Sequence, residues 1–219
     1  MEEKKGIARY FTRKSQRDPL EPQEMDRALV RRAQKGDSQA VTELYLRYQR
    51  RVLNFLYRMT GNRQVAEDLT HETFIRVVQH LPTYRPTGSV AGWIYRIAKN
   101  LALNRFRHEK VAGEIPLDQP LSLSEEEMER SLGDILADTR PNPGEEASRT
   151  DLESVVQKAL SKISPPYREA VILCDIQGFS YKEAAEMLSC PIDTVASRLA
   201  RGRSKLAELL GYLKKEFSK

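Results

Sequence analysis

Between Ser180 and Leu206 the chain carries, in helical order, the residue types that read nucleic acid. Ser180 and Glu183 have the spacing of a capping box, in which the serine side chain accepts from a backbone N–H three residues on and the glutamate bonds back. Ala184, Ala185 and Leu188 then form an apolar stripe that Ser189-Cys190-Pro191 breaks. Pro191 suits the first turn of a following helix, where its missing N–H would have no partner anyway. On that second helix Ile192, Val195, Leu199 and Leu206 share one face, and Asp193, Thr194, Ser197, Arg198, Arg201 and Lys205 share the other. Short hydrogen-bonders followed by cations suit a helix whose first turn meets base edges in the major groove while its later residues hold phosphates. A solvated helix hairpin would also present a polar face. The capping box, the small Ala185 at the contact, the short turn and the cationic second helix together favour a helix-turn-helix, with Thr194, Ser197, Arg198, Arg201 and Lys205 as the DNA contacts.

Two further faces bear chemistry. From Ala91 to Lys110, Arg96, Lys99, Arg105, Arg107, His108 and Lys110 alternate with Trp93, Tyr95 and Phe106. Cations hold phosphates and aromatics stack on exposed bases, so this mixture suits single-stranded or melting DNA. The aromatics, with Ile94, Ile97 and Leu101, also fit a core, so the cations carry more of this inference. From Gln64 to Leu81, a core face of Ala66, Leu69, Thr70, Thr73, Phe74, Val77, Val78 and Leu81 lies opposite Glu67, Asp68, His71, Glu72 and Gln79, and Ile75 interrupts the polar side. An aliphatic ringed by carboxylates fits a protein partner better than DNA, which would repel the acids. A stray surface isoleucine is the plainer alternative. Nothing resembles catalytic machinery: the chain has no clustered carboxylate site, Ser/His/Asp set or Gly-rich phosphate loop. His71, His80 and His108 are scattered, and Cys174 and Cys190 form no CxxC pair. No catalytic residue, metal or cofactor is therefore expected, and the cysteines read as free thiols.

These faces need helices to position them. In 219 residues, 40% are hydrophobic, 31% charged and 7% aromatic, the balance of a helix-rich protein with modest cores. No apolar run approaches the roughly 20 residues that span a bilayer, and MEEKKGIARYF lacks a signal peptide's apolar stretch, so a cytoplasmic protein is expected. Charge is unevenly spread: residues 1–113 carry 22 basic and 12 acidic side chains, residues 114–150 carry 3 and 10, and residues 151–219 carry 11 and 9. Helical periods predict a first helix from Met25 to the Gly36-Asp37 stop and a second from Ala40 to Gly61-Asn62. A third runs from about Gln64 to Leu81, and a fourth from about Ala91 to Lys110. Strand alternation is absent. Prolines, glycines and the acids Glu125-Glu126-Glu127 mark residues 113–150 as a linker, with a short helix around Glu125 to Leu136. The reading is all-α. Residues 1–24 form a flexible basic arm, two small helical domains occupy 25–112 and 151–219, and an acidic flexible linker at 113–150 joins them.

The run Ile163-Ser-Pro-Pro-Tyr-Arg-Glu-Ala-Val-Ile-Leu, then Gly178-Phe-Ser-Tyr-Lys-Glu-Ala-Ala-Glu-Met-Leu, then Cys190-Pro-Ile-Asp-Thr-Val-Ala-Ser-Arg-Leu, resembles region 4 of bacterial extracytoplasmic-function sigma factors. Ala66-Glu-Asp-Leu-Thr-His-Glu-Thr-Phe and Gly92-Trp-Ile-Tyr-Arg-Ile-Ala-Lys-Asn-Leu-Ala-Leu-Asn-Arg-Phe-Arg resemble regions 2.2 and 2.4. The resemblance covers about residues 25–110 and 151–215. It implies a non-enzymatic protein that binds core RNA polymerase, brings it to double-stranded promoter DNA at −35 and −10 elements, and helps melt the −10 duplex. It also implies that Asp68, His71, Glu72 and Ile75 dock on polymerase. Arg85, Trp93, Arg96, Lys99, Asn100, Asn104, Arg105 and Arg107 would serve the −10 element, with the loop around Tyr84, Arg85 and Ser89 receiving a flipped base. The acidic linker would pass through polymerase channels. Three residues depart from the family pattern: His71 stands for glutamine, Ala196 for Arg or Lys, and Ser189 for glycine. A one-component regulator using the same helix-turn-helix would need a ligand or dimerisation domain, whereas residues 25–110 look like a second nucleic-acid-facing unit. A chain monomeric when free is expected, with an anti-sigma protein hiding Ile75 and the basic faces.

Overall fold

A computed structural model describes residues 21–85, 88–112 and 145–217. Most of the basic arm, most of the acidic linker and the helix expected around Glu125 to Leu136 lie outside the described residues. What is described is helical, with no strand among these residues. The N-terminal half holds α1 (Glu21–Gln34), α2 (Ser38–Thr60), α3 (Arg63–His80), a 3-10 turn at Leu81–Thr83, and α4 (Val90–Ala112). The C-terminal half holds α5 (Glu145–Ser161), α6 (Pro165–Val171) running into a π-helical turn at Ile172–Ile176, α7 (Tyr181–Leu188) and α8 (Ile192–Phe217).

Local chemistry sets the helix ends. The Asp37 carboxylate accepts from the N–H groups of Gln39 and Ala40 at 3.0 and 3.2 Å and starts α2. Gly61 ends it in the left-handed region at φ 72°, and the Asn62 side chain at once accepts from Val65 N–H at 3.1 Å to start α3. Two helices begin earlier than their periodicity indicates. α1 starts at Glu21 rather than Met25, because Pro22 needs no N–H partner in a first turn. α5 starts at Glu145, inside the segment expected to be linker, just after the Pro143-Gly144 stop.

The 3.6-residue period of α2 buries Ala40, Leu44, Tyr48, Val52, Phe55, Leu56 and Met59. Leu29, Val30 and Ala33 of α1 cover this ridge, as do Ala66, Thr70, Thr73, Phe74 and Val77 of α3 and Ile94, Tyr95, Ala98 and Ala102 of α4. One residue placed in the α3 core is not there: Val78 is 48% exposed, because the groove it borders with Val41, Thr42, Tyr45 and Phe74 is left unfilled. In the C-terminal half α8 crosses α6 at Gly202, where a Cβ would stand 2.6 Å from Val171 Cγ2 and 2.9 Å from the Tyr167 carbonyl oxygen. Only glycine permits that approach.

The two halves share one continuous core. Tyr95 of α4 stacks edge-on to Phe55 at 5.4 Å and to Phe179 of the other half at 5.3 Å, and its hydroxyl donates to Gln177 Oε1 at 2.6 Å. Gln177 Nε2 in turn donates to Arg51 O at 2.9 Å. Arg168, only 7% exposed, donates to the carbonyls of Ser161 and Ile163 at 2.6 and 2.8 Å and reaches across to that of Met59. Burial pulls its guanidinium down to about 10, still charged at neutral pH. Arg168→Met would leave the buried carbonyls of Met59 and Ile163, and the half-buried one of Ser161, without these partners. It is expected to lower the unfolding free energy by about 2–4 kcal/mol in urea titration. A variant as stable as the parent would contradict this role.

Candidate nucleic-acid interface

Residues 180–206 fold as the helix-turn-helix expected. The capping box is complete: Ser180 Oγ accepts from Glu183 N–H at 3.3 Å, and Ser180 N–H donates to Glu183 Oε2 at 2.8 Å. Ala184, Ala185, Met187 and Leu188 bury one face of α7 against Val195, Leu199 and Leu206 of α8. Ile192, expected on that apolar face, is instead 48% exposed, because it occupies the first position of α8 and the buried stripe begins only at Val195. The turn is made by Ser189 in the left-handed conformation, φ 56° and ψ 47°. That geometry accounts for glycine being the expected residue there, since a side chain costs roughly 1–2 kcal/mol.

Of the −35 candidates, Ser197, Arg201 and Lys205 are exposed. Arg201 donates to Tyr167 Oη at 3.2 Å and Lys205 pairs with Glu208 at 3.1 Å. Thr194 and Arg198 are half-buried, with the Arg198 guanidinium beside Cys190 Sγ at 3.9 Å. On α4, Arg96, Asn100, Asn104 and Arg107 are exposed and fall at intervals of three or four, so they form one strip. Arg107 donates to Asn104 Oδ1 at 2.8 Å. Arg85 and Arg105 are exposed as well. Trp93 is half-buried and stacked on Tyr84 at 4.1 Å with 27° between the rings, which keeps it beside the loop before α4 rather than in the core.

On α3, Asp68, His71 and Ile75 are exposed, Ile75 by 49%, and Glu72 pairs with Arg76 at 2.7 Å. Val78 stands one turn on, so the aliphatic patch is wider than periodicity indicates. It borders an apolar cavity of about 240 Å³ floored by Leu44, Phe74 and Val77. Among the described residues no helix is long and apolar enough to cross a membrane, and no group of three His, Cys, Asp or Glu could hold a metal ion.

The strip on α4 and the helix-turn-helix meet. Arg96 Nη2 donates to Glu186 O at 3.2 Å and Lys99 Nζ to Leu188 O at 3.0 Å, both at the C-terminal end of α7. The Glu186 carboxylate accepts from Ser89 N–H and Oγ at 3.2 and 2.8 Å. Beneath them Glu169 is 3% exposed, and its Oε1 has no hydrogen-bond partner. Burial pushes its carboxyl up to about 7 against the opposing pull of Lys99, Arg198 and Arg168, and burial likewise pulls Lys99 down. Glu169, Glu186 and Arg168 escaped sequence reasoning. Only the Arg168-Glu169 pair leaves a trace, as two charges directly before the apolar Ala170-Val171-Ile172-Leu173.

Two stability measurements follow. Ser189→Gly is expected to raise the unfolding free energy by about 1 kcal/mol, and an unmoved denaturation midpoint would refute strain at the turn. The folded state holds the Glu169 proton above the pH at which the unfolded chain releases it. The stability this contributes is therefore complete below about 4.5 and lost as pH rises through about 7. Glu169→Gln should gain on the parent between pH 5 and 8, by on the order of 2 kcal/mol, and parallel pH profiles for the two proteins would exclude this titration.

The Sigma-70 region 2 family model matches residues 44–111, and the Sigma-70, region 4 model matches residues 154–206. The chain is 32% identical over 194 residues to the RNA polymerase sigma-H factor of Pseudomonas aeruginosa, covering 89% of this chain and 98% of that one. It is 38% identical over 178 residues to the ECF RNA polymerase sigma factor SigE of Mycolicibacterium smegmatis, covering 80% of this chain and 64% of that protein. The sigma factor RpoE of Bartonella quintana, solved in complex with the anti-sigma factor NepR, matches with a TM-score of 0.56 and 26% identity over 78% of this chain and 96% of its own. With region 2 on the α2–α4 bundle, region 4 on the helix-turn-helix half, and a relative matched over almost its whole length, the chain belongs to the extracytoplasmic-function RNA polymerase sigma factors, which act in transcription initiation.

Proposed function

We propose that this sigma factor divides its work among three helical faces. Residues 25–112 bind core polymerase and the −10 element, and residues 151–219 bind the −35 element. The basic arm at 1–24 and the acidic linker at 113–150 lie outside both. On α3, Asp68, His71, Glu72 and Ile75 dock on core polymerase, and the adjacent exposed Val78 enlarges the apolar part of that contact. On α4, Arg96, Asn100, Asn104, Arg105 and Arg107, with Lys99, Arg85 and Trp93, hold the −10 strand as it melts. On α8, Thr194, Ser197, Arg198, Arg201 and Lys205 read and grip the −35 duplex. Cations among asparagines suit backbone and base contacts, and carboxylates around aliphatics suit a protein partner. The protein performs no reaction of its own, acts in the cytoplasm and is monomeric when free. An anti-sigma protein controls it, as the solved complex of its Bartonella relative suggests.

The observation that carries this reading is the presence on one chain of two separate cationic DNA faces and one acid-and-aliphatic face. Run-off transcription with purified core polymerase on genomic fragments tests it: the protein should create start sites that core alone lacks, and unchanged start sites would sink the reading. Asp68→Arg is expected to weaken polymerase binding at least tenfold, about 1.4 kcal/mol, in the full chain while leaving its binding to −35 duplex within twofold. Equal loss of both would contradict the division of labour.

A further inference from the structure

The Glu186 carboxylate occupies a cradle made by the other half of the molecule. Ser89 N–H and Oγ donate to its Oε2 at 3.2 and 2.8 Å, and Ser89 Oγ accepts in turn from Gly92 N–H at 3.0 Å. Gly88 and Gly92 leave the room: a Cβ on Gly88 would stand 3.6 Å from Oε2, and one on Gly92 would stand 3.4 Å from Glu186 Cβ and 2.8 Å from Ser89 Oγ. The cradle lies at the start of α4, where unpaired N–H groups favour negative charge. One turn on, Arg96 and Lys99 are held by the Glu186 and Leu188 carbonyls. Ser89, Arg96 and Lys99, assigned above to −10 DNA, are therefore all engaged by the end of α7, and an anion already sits where a phosphate would be bound.

We propose that Glu186 is an intramolecular latch that ties the N-terminal end of the −10 face, at Ser89, Arg96 and Lys99, to the helix-turn-helix half in the free protein, so that DNA lying along the exposed rest of the strip must displace its carboxylate to reach that end. The proposal rests on the assignment of the α4 face to −10 DNA. The latch is polar, and its donors are exchanged for phosphate contacts on opening rather than lost. It therefore shifts a balance between closed and open forms and does not weld the halves together; the Tyr95–Phe179 contact and Gln177 supply the remaining closure. A ligand that binds only the open form has its apparent affinity reduced by the open fraction.

The test compares the full chain with Glu186→Gln and with Glu153→Gln, which removes the same charge from an exposed site on α5. Two measurements are made on each. Binding of a fluorescein-labelled single-stranded T-rich oligonucleotide reads access to α4, and hydrogen exchange of residues 172–179 in DNA-free protein reads separation of the halves. Glu186→Gln is expected to tighten oligonucleotide binding and to speed exchange of 172–179, each about tenfold, with Glu153→Gln within twofold of the parent in both. Equal effects of the two substitutions, or unchanged exchange in Glu186→Gln, would overturn the latch. Faster exchange in Glu186→Gln with no oligonucleotide bound by any form would keep the latch and discard the −10 assignment of α4.

Discussion

An α-helix leaves its last four carbonyls without partners inside the helix, and buried carbonyls left bare are costly. In this sigma factor each half of the molecule satisfies helix ends of the other. The end of α2 presents the carbonyls of Tyr57, Arg58 and Met59, which receive Gln157 and Arg168 from the C-terminal half. The end of α7 presents the carbonyls of Glu186 and Leu188, which receive Arg96 and Lys99 from the N-terminal half. Between these two polar seams lies the aromatic contact of Tyr95 with Phe179. The relative placement of the two faces proposed to meet DNA follows from this mutual capping. It sets the helix-turn-helix against α4 and aims the Glu186 carboxylate at Ser89.

Such an interface suits a protein that must open. The apolar part of the shared core loses its burial energy on separation, whereas the carbonyls and cations of the two seams regain water or phosphate, which lowers the cost of opening. Under the proposed −10 assignment the cations at the seam have two uses that exclude one another in time: Lys99 caps α7 or holds DNA, and Arg96 likewise. Glu169 adds tension to this arrangement, because a nearly buried carboxyl with an unpartnered oxygen sits below Lys99 and Arg198. Buried charges of this kind add little net stability when folded together, but they disfavour any packing in which one of them lacks its counter-charge.

The α3 face stands apart from the seam. Ile75 and Val78 stay exposed beside Asp68 and His71 while Arg96 and Lys99 are engaged by the end of α7, so the surface proposed to meet polymerase is presented in this arrangement. Under the proposed latch, closure withholds Ser89, Arg96 and Lys99 from DNA without withholding the proposed contact with core polymerase.

Most of what is governed by neighbours within one helical turn was legible in the sequence, the early starts of α1 and α5 excepted. The Gly61-Asn62 boundary, the Ser180/Glu183 capping box, the turn at Ser189 and the acid-and-aliphatic face of α3 are decided by hydrogen bonds spanning three or four residues and by the 3.6-residue period. That period failed at Val78, where no neighbouring helix fills the groove, and at Ile192, which stands at the first position of α8 before the buried stripe begins; a wheel of one helix supplies neither fact. The burial of Arg168 and Glu169 left only the trace of two charges directly before an apolar run, and the engagement of Glu186 with Ser89 had no local signal at all. Their side-chain types read as ordinary surface charge until a helix end from the other half is brought against them. The sequence by itself determined the helices, apart from the starts of α1 and α5, and the polar and cationic faces they carry. Only the tertiary structure decided that the start of α4 is held against the end of α7, because that depends on which unpaired carbonyls meet which cations across the two halves.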